Sequence, residues 1–346
     1  MTTILLTGTR APATLDLARR LRREGVQVVG ADSMHFPLGR FSKAFASHHR
    51  VPSPRFRREE FVAAILRLVD SEQVDLVWPT CEEIFHLAAH HEEVSKRVRL
   101  FCEPLAALKP LHQKLDFARL AGEMAPESWS GDDAPVDRRL LWKPLYSRFA
   151  VRIGHEAPGN RKGWMAQEFL SGEEFSAWAL CVNGEVRTLT FYDCPSRSGK
   201  GAGCAFEPMW DEPAAGFVTE IAGHRRFTGS LAFDFVRDAT GRARVIECNP
   251  RLTSGLHVLD ASVRITDLLE GPGSLPPPMH SCQLLLPTIL SNPALMGTSP
   301  DIVSIAGDRG PALGQLAGLA ELAGVALRRF TALTAAATRD LEYNGD

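Results

Sequence analysis

The stretch of sequence that decides the fold is Leu231–Arg251, LAFDFVRDATGRARVIECNPR. Two runs rich in apolar and β-branched residues flank a polar turn, and this pattern predicts a β-hairpin. If the turn is centred on the peptide bond after Thr240, Asp234 and Glu247 are equally far from the centre and lie opposite each other. Asn249 follows Glu247 by two residues and therefore points to the same face of its strand. The sequence thus predicts three oxygen-bearing side chains on one face.

Two carboxylates placed directly opposite each other on a sheet repel, so the pair favours the binding of a hard cation. Mg²⁺ is the expected ion because it prefers a few carboxylate oxygens together with phosphates and water, and Mn²⁺ is the alternative. The competing interpretation is a solvated hairpin whose acidic side chains face water. Other motifs in the chain have to decide between the two.

The first hundred residues alternate short β-type runs with helical patterns, which predicts a parallel sheet covered by helices. The predicted strands are Ile4–Thr7, Val26–Val29, Asp75–Trp78 and Val98–Phe101, and the predicted helices are Ala13–Glu24, Glu59–Ser71 and Cys81–His90.

The pattern changes after a helical stretch at Leu105–Glu123, where antiparallel hairpin signals begin. Asn183-Gly184, between two strand-like runs, is a strong hairpin signal. Gly271-Pro272-Gly273 ends this unit, and Leu313–Ala337 reads as one or two helices. We therefore expect a mixed α/β and α+β chain. Its units are an α/β domain (1–104), a two-lobed domain with antiparallel sheets (105–270) and a helical extension (271–346).

Composition narrows the class of protein. The chain has 346 residues, 45% hydrophobic and 23% charged, with a net charge of −2. The absence of excess positive charge argues against nucleic acid as the main partner and favours small molecules. Seven cysteines form no CxxC pair, which indicates a reducing compartment. No export signal or long apolar run is evident in the sequence, so we expect a cytoplasmic protein with no membrane partner.

The acidic residue on one strand and the Glu-x-Asn on the next resemble the ATP-grasp superfamily. The continuation Asn249-Pro250-Arg251 is more similar to the carbamoyl-phosphate-synthase and biotin-carboxylase branch. The resemblance implies that Asp234, Glu247 and Asn249 hold the magnesium ions of ATP. It also implies that Arg251 faces the reacting phosphate or carboxylate, as a planar guanidinium can. The alternative role for Arg251 is a surface ion pair.

Further landmarks of this superfamily follow in the expected order. Lys114 matches the lysine that precedes the ATP-binding domain, and Lys143 matches the strand lysine that contacts phosphates. The segment Gln167–Phe175 resembles the hinge between the two lobes. The resemblance places the nucleotide beside this hinge, at Gln167, the backbone groups of Glu168 and Leu170, and the side chain of Glu174, which would accept the ribose hydroxyls.

The pattern departs from the superfamily after Lys143, where the usual glycine-rich phosphate loop is replaced by Pro-Leu-Tyr-Ser-Arg. Ser147 and Arg148 are the remaining candidates for donors to phosphate. A glycine-rich loop occurs later, at 196–203, and its Arg197 and Lys200 suggest a mobile anion-binding flap. The alternative is an exposed hairpin loop.

Two weaker features lie in the first domain. Thr7-Gly8-Thr9-Arg10 has one glycine and does not match the GxGxxG fingerprint, so no nicotinamide cofactor is expected. Thr80-Cys81-Glu82-Glu83 follows a predicted strand and could face a ligand cleft. The favoured interpretation of its acids is a helix-dipole contact. Cys81 has no histidine partner that the sequence identifies.

Together these motifs predict an ATP- and Mg²⁺-dependent ligase. It would activate a small-molecule carboxylate as an acyl phosphate and join it to a nitrogen nucleophile, or a thiol, with release of ADP and phosphate. The alternatives are carboxyphosphate or carbamoyl-phosphate chemistry, and a regulatory protein that binds ATP without turnover. A homodimer is compatible with this class.

Overall fold

The structure, a computed structural model, describes residues 1–148, 152–198 and 201–345. Its N-terminal unit is built on a parallel five-stranded sheet of order β3-β2-β1-β4-β5. The strands are β1 (Thr3–Thr7), β2 (Gln27–Asp32), β3 (Ser47–Arg50), β4 (Leu76–Trp78) and β5 (Arg99–Leu100). The helices are α1 (Pro12–Arg23), α2 (Arg58–Ser71), α3 (Glu83–Ala88) and α4 (His91–Ser95), and a 3-10 turn spans Leu38–Phe41. The predicted parallel sheet is confirmed, and the short strand β3 was missed.

The predicted helical stretch at Leu105–Glu123 is two helices with a break between them. These are α5 (Leu105–His112) and α6 (Lys114–Ala121), followed by a 3-10 turn at Gly122–Met124. Gln113 has an extended ψ of 115°, and its side chain accepts the N–H groups of Leu115 and Asp116. Because Gln113 caps α6 in this way, Lys114 becomes the first residue of that helix.

The central part of the chain forms two antiparallel sheets. The smaller sheet, of order β6-β8-β7, contains β6 (Ser128–Ser130), β7 (Leu140–Pro144) and β8 (Trp164–Glu168). The larger sheet, of order β13-β12-β9-β10-β11-β14, contains β9 (Glu174–Val182), β10 (Glu185–Ser198), β11 (Ala202–Met209), β12 (Gly229–Arg237), β13 (Ala243–Asn249) and β14 (Cys282–Gln283). The segment 169–173 joins the two sheets at the predicted hinge.

The hairpin between β9 and β10 turns at Asn183 and Gly184, as predicted. Both residues have positive φ, 52° and 87°, which is the backbone that an Asn-Gly hairpin turn requires. On the opposite side of the sheet from the predicted ligands, an aromatic core packs under α7 (Glu212–Arg225). The rings of Phe175 and Phe235 stack at 5.0 Å. This core packs β9 and β12 side by side.

The last quarter of the chain runs back over both units. Its elements are α8 (Gly255–Val258), α9 (Ile265–Glu270), α10 (Leu285–Ser291), a 3-10 turn at Pro293–Leu295, α11 (Gly310–Arg329) and α12 (Leu333–Thr338). The predicted C-terminal helices are present. The same stretch also contributes β14 to the larger sheet, which the sequence did not indicate.

Helix α11 is long and apolar enough to cross a membrane by length and composition, with a mean hydropathy of 1.2 over 18 residues. It is not an unbroken apolar run, because Gln315 and Glu321 interrupt it. One such helix is weak evidence for a membrane span. Glu321, in the middle of α11, accepts hydrogen bonds from the backbone N–H groups of His35 and Phe36 at 3.0 and 2.9 Å. The Glu321 side chain therefore links α11 to the N-terminal unit.

Candidate active site

The structure pairs Asp234 on β12 with Glu247 on β13. Asn249 is two residues further along β13, opposite Ala232, and therefore shares the face of Glu247. The three residues that the sequence singled out as metal ligands lie together on the side of the hairpin away from the aromatic core.

A β-bulge produces this pairing, and the predicted turn centre was wrong by half a residue. The ladder pairs nearest the turn, such as Phe235 with Val245, are symmetric about Thr240 itself. The register then shifts by one residue, so that Ile246 and Glu247 together oppose Asp234.

The same bulge keeps the core face of β13 apolar. Val245 and Cys248 are both 1% exposed, and they are paired with Phe235 and Phe233. Strict alternation could not bury both of these residues, which are three positions apart, on one face. The bulge therefore lets the strand bury both while Glu247 stays on the ligand face.

Lys114 forms an ion pair with Glu247 of this acidic pair. Its ammonium Nζ lies 2.9 Å from Glu247 Oε1 and also donates to the Ser147 carbonyl at 3.1 Å. The lysine side chain is 1% exposed, whereas the Glu247 side chain is 19% exposed. The ammonium group of Lys114 is thus buried, whereas part of the Glu247 side chain remains exposed to solvent.

Lys143 lies on β7 of the smaller sheet and donates to Gln167 Oε1 on β8 at 2.7 Å. Gln167 in turn donates to Ser128 Oγ at 3.1 Å, which fixes its amide orientation. Burial lowers the pKa of Lys143 to about 8, although the nearby Glu247 and Asp234 carboxylates act in the opposite direction. A lysine with this pKa is mostly charged at neutral pH and loses its proton readily.

Asp234 is held by a hydrogen bond of 2.7 Å from Ser176 Oγ, a residue that the sequence analysis did not single out. Burial, together with the facing charge of Glu247, raises the pKa of Asp234 to about 6. Two carboxylates that repel each other in a partly buried place are stabilised by a bound cation.

Glu174 and Arg197 are also part of this cluster. Arg197 Nη2 lies 3.3 Å from Glu174 Oε2, and both side chains are partly exposed. Two residues of the glycine-rich stretch pair with each other, Arg197 on β10 and Gly203 on β11. Lys200, predicted to bind phosphate there, lies outside the described residues. The flap function of this loop stays a prediction.

The hinge is fastened to the end of β12. The N–H of Arg237 donates to the Glu173 carbonyl at 2.9 Å, and a Cβ on Gly172 would lie 1.7 Å from the Arg237 carbonyl oxygen. Only glycine fits there.

The N–H of Glu168 already donates to the Glu127 carbonyl at 2.8 Å, so the backbone contact implied for Glu168 would use its carbonyl oxygen. Among described residues, Leu170 has no hydrogen bond on its backbone.

A cavity of about 620 Å³ lies beside the hinge. It is lined by Glu127, Arg138, Arg139, Glu168, Phe169 and Arg244. The guanidinium of Arg139 stacks over the ring of Phe169 at 4.1 Å. None of the predicted metal ligands lines this cavity, so it is separate from the carboxylate pair.

Arg148, predicted as a phosphate donor, is bound to the C-terminal segment 340–345. It donates to Glu82 Oε2 and to the Tyr343 carbonyl, and Asn344 Oδ1 accepts from it at 3.0 Å. To reach a phosphate, Arg148 would have to leave these partners. The neighbouring Ser147 has a buried hydroxyl with no partner among the described residues.

Glu82 makes buried contacts that the sequence did not predict. It is the N-cap of α3, but its side chain makes no capping hydrogen bond. The carboxylate is 2% exposed, bonds to Arg148 and the Tyr343 N–H, and points its second oxygen toward Arg251 Nη2 at 4.0 Å. Glu82 therefore stays at the N-terminal end of α3, as the helix-dipole interpretation requires, and also makes ion-pair contacts that this interpretation did not predict. Glu83 instead accepts the N–H groups of Thr80 and Cys81, both at 3.0 Å.

The turn Thr7–Arg10 binds the end of the chain in this structure. Arg10 bonds to Asp32 and to Asp340, in each case with a shortest contact of 2.6 Å. Cys81 lies against Gly8, and burial raises the pKa of its thiol to about 12. A thiol with this pKa is not a reactive nucleophile at neutral pH.

No group of three or more His, Cys, Asp or Glu side chains suited to a metal ion occurs within residues 1–148, 152–198 and 201–345. The Asp234 and Glu247 pair supplies two acidic ligands, and Asn249 adds an amide oxygen. This donor set fits Mg²⁺, because that ion completes its shell with phosphate oxygens and water.

No protein-family model and no curated protein matches the chain. Solved structures do match it. N5-carboxyaminoimidazole synthetase from Staphylococcus aureus complexed with ADP has a TM-score of 0.61 at 14% identity, covering 81% of this chain and 79% of that one. L-amino acid ligase from Bacillus licheniformis has a TM-score of 0.59 at 14% identity, covering 79% and 75%.

The biotin carboxylase domain of Hydrogenobacter thermophilus 2-oxoglutarate carboxylase is a further match. That structure contains MgADP and bicarbonate, and the TM-score is 0.58 at 13% identity. The match covers 74% of this chain and 65% of that one, slightly under two thirds. All three are ATP-grasp proteins, and the chain described here has the ATP-grasp fold.

Proposed function

We propose that this protein is an ATP- and Mg²⁺-dependent ligase that activates a carboxylic acid as an acyl phosphate and transfers the acyl group to an amine. The observation that carries the proposal is the pairing of Asp234 with Glu247 on one face of the hairpin. Lys114 and Lys143 flank this pair from two different elements. A cluster of this composition suits a nucleotide triphosphate with its metal ion.

Asp234, Glu247 and Asn249 would hold Mg²⁺, which neutralises phosphate charge during phosphoryl transfer when it is bound. Lys143 would donate to the phosphates, and its fixed contact with Gln167 keeps the ammonium aimed in one direction. Arg251 lies two residues beyond Asn249, where its guanidinium can offset charge on the transferred group.

The reaction balances in two steps. A carboxylate oxygen attacks the γ-phosphorus of ATP, and the bond to the bridging oxygen breaks with its electron pair leaving on ADP. The amine then attacks the acyl carbon, loses a proton, and expels inorganic phosphate. Water has to be kept out because an acyl phosphate hydrolyses, and closure of the lobes about the predicted hinge at Gln167–Phe175 would serve this purpose. A thiol could replace the amine in the second step.

The second candidate function is carboxyphosphate chemistry. It is supported by two of the solved neighbours, N5-carboxyaminoimidazole synthetase and the biotin carboxylase domain. One of them contains bicarbonate together with MgADP. In that case bicarbonate would be the acid that accepts the phosphoryl group. The third candidate is an ATP-binding regulatory protein without turnover, and the retained ligands and lysines make it the least favoured.

A trapping assay with hydroxylamine separates these candidates. The protein is incubated with ATP, Mg²⁺ and a panel of carboxylic acids, and both ADP and hydroxamate are measured. ADP with hydroxamate supports the ligase, whereas ADP that depends on bicarbonate alone supports carboxyphosphate formation. ATP binding by calorimetry without ADP from any acid would identify the regulatory protein. The cytoplasmic location, the homodimer and the alternative use of Mn²⁺ stay predictions.

A further inference from the structure

The buried carboxylate of Glu82 faces the partly exposed guanidinium of Arg251 without forming a hydrogen bond. Glu82 is 2% exposed, and its Oε1 has no hydrogen-bond partner among the described residues. Arg251 Nη2 lies 4.0 Å away, which is too far for a hydrogen bond, and Arg251 Nε also has no partner there. A buried polar atom without a hydrogen bond is costly, so Glu82 Oε1 and Arg251 Nε each need a partner, which a bound ligand could supply.

Glu82 is held so that its unpaired oxygen keeps one direction. Its other oxygen, Oε2, accepts from Arg148 Nε and from the Tyr343 N–H, the latter at 3.2 Å. Arg148 is itself bound by Asn344 and by the Tyr343 carbonyl. Because these contacts fix the carboxylate plane, Oε1 is a preorganised acceptor for a positively charged donor.

The position of Arg251 connects this acceptor to the reacting groups. Arg251 follows the proposed metal ligand Asn249 by two residues, and its backbone N–H donates to the Asn249 carbonyl at 2.8 Å. A carboxylate bound at Arg251 would therefore lie beside the phosphates. A positively charged group on the same molecule would meet Glu82.

We propose that the acid activated by this protein is an α-amino acid, whose ammonium group binds Glu82 Oε1 while its carboxylate lies against Arg251. This inference rests on the proposed ligase function and specifies its acid substrate. In an α-amino acid, one carbon separates the ammonium group from the carboxylate group. This short separation matches the acceptor Glu82 Oε1 and the donor Arg251 Nη2, which lie 4.0 Å apart. The ammonium group takes no part in the phosphoryl transfer and serves for recognition.

Binding of an acid without an amino group would leave Glu82 Oε1 buried and unpaired. The loss of one hydrogen bond to a charged group corresponds to about a 10- to 100-fold decrease in kcat/KM. An amino acid with its ammonium group several carbons away would lose the same contact. The site therefore distinguishes α-amino acids from their deaminated and ω-amino analogues.

The test compares matched acids with the full-length protein, ATP, Mg²⁺ and hydroxylamine. The pairs are L-alanine with propionate and L-phenylalanine with 3-phenylpropionate, and ADP and hydroxamate are measured for each. We expect kcat/KM to favour the amino acid by at least about tenfold. Glu82→Gln should raise KM for the amino acids and remove most of this preference. Glu342→Gln is the matched control, because Glu342 also contacts Arg148 but leaves the Glu82 carboxylate intact.

The outcomes are distinguishable. ADP formation with propionate or 3-phenylpropionate at equal or better kcat/KM would overturn the amino acid assignment and leave the ligase function standing. An unchanged preference in Glu82→Gln would overturn it as well. Calorimetry with L-alanine and L-phenylalanine covers the remaining case. If the amino acids bind, Glu82→Gln abolishes this binding and no acid yields ADP, the amino acid site is supported and the ligase function is refuted. If the amino acids show no binding and no turnover, the site is refuted.

Discussion

The Nζ of Lys114 lies 2.9 Å from Oε1 of Glu247, and the lysine side chain is 1% exposed. This contact joins the start of α6 to β13, two elements that are far apart in the sequence. It neutralises one of two carboxylates that face each other on the hairpin. The strength of the site as a cation-binding centre depends on this balance of charges.

Lys114→Met should therefore lower the free energy of unfolding, by about 1–3 kcal/mol, because Glu247 would lose its ion-pair partner while it still faces Asp234. Mg²⁺ together with ADP should restore more of the loss in the variant than it adds to the wild type. Chemical denaturation with and without MgADP measures both effects. Lys96→Met, which removes an exposed i,i+4 pair, is the control and should change little. Equal stability of Lys114→Met and wild type would refute the proposed balance.

Glu247→Gln should abolish turnover while the protein stays folded. The substitution keeps the size of the side chain but removes the charge that the metal site needs, so kcat should decrease by at least about 100-fold. Circular dichroism checks the fold, and ADP release checks activity. Glu92→Gln, at a side chain that is 87% exposed, serves as the control. Normal activity of Glu247→Gln would remove the metal assignment.

The pH dependence of ATP use should report Lys143. Its pKa is lowered to about 8 by burial, so the ammonium is charged below that pH and becomes neutral above it. Because phosphate binding needs the charged form, kcat/KM for ATP should decrease as the pH rises through about 8. Lys143→Arg keeps its charge and should lose this alkaline limb. A profile that is flat between pH 7 and 9 in the wild type would contradict the assignment.

Cys81→Ala should keep its activity. The thiol is next to the proposed amino acid site, but burial raises its pKa to about 12 and almost none of it is thiolate at neutral pH. We expect unchanged kcat and slow reaction of Cys81 with iodoacetamide, measured by mass spectrometry of the labelled peptide. A loss of activity greater than about tenfold would instead indicate covalent catalysis.

Tyr343→Ala should destabilise the protein by about 3–5 kcal/mol, since the ring is 1% exposed and stacks on Phe85 at 5.1 Å. It should also raise KM for the acid substrate, because the segment that orients Glu82 would be loosened. Phe330→Ala is the control, at a side chain that is 99% exposed, and should change stability by less than about 0.5 kcal/mol. If KM stays constant, the C-terminal segment has a structural role only.

Local pattern was enough to predict the alternation that builds the parallel sheet, the Asn183-Gly184 turn, and the pairing of Asp234 with Glu247. These features depend on residues close in sequence, where spacing and turn chemistry limit the geometry. The pairing of Asp234 with Glu247 was predicted correctly, but from a turn centre that was wrong by half a residue. The reason is that the sequence does not indicate the bulge at Ile246. Bulges respond to what both faces of a strand must bury, and that is a tertiary constraint.

Tertiary structure alone decided the partners of the charged side chains. Glu82 contacts Tyr343 across 261 positions of sequence, and no periodicity or spacing relates the two. Lys114 could equally have been a solvated surface residue until packing buried it beneath Glu247. The sequence determined which chemistry-bearing residues lie on which strand and face, because the backbone repeat is local. Which charges become buried together is set by how the units pack, since burial and ion pairing act through space and not along the chain.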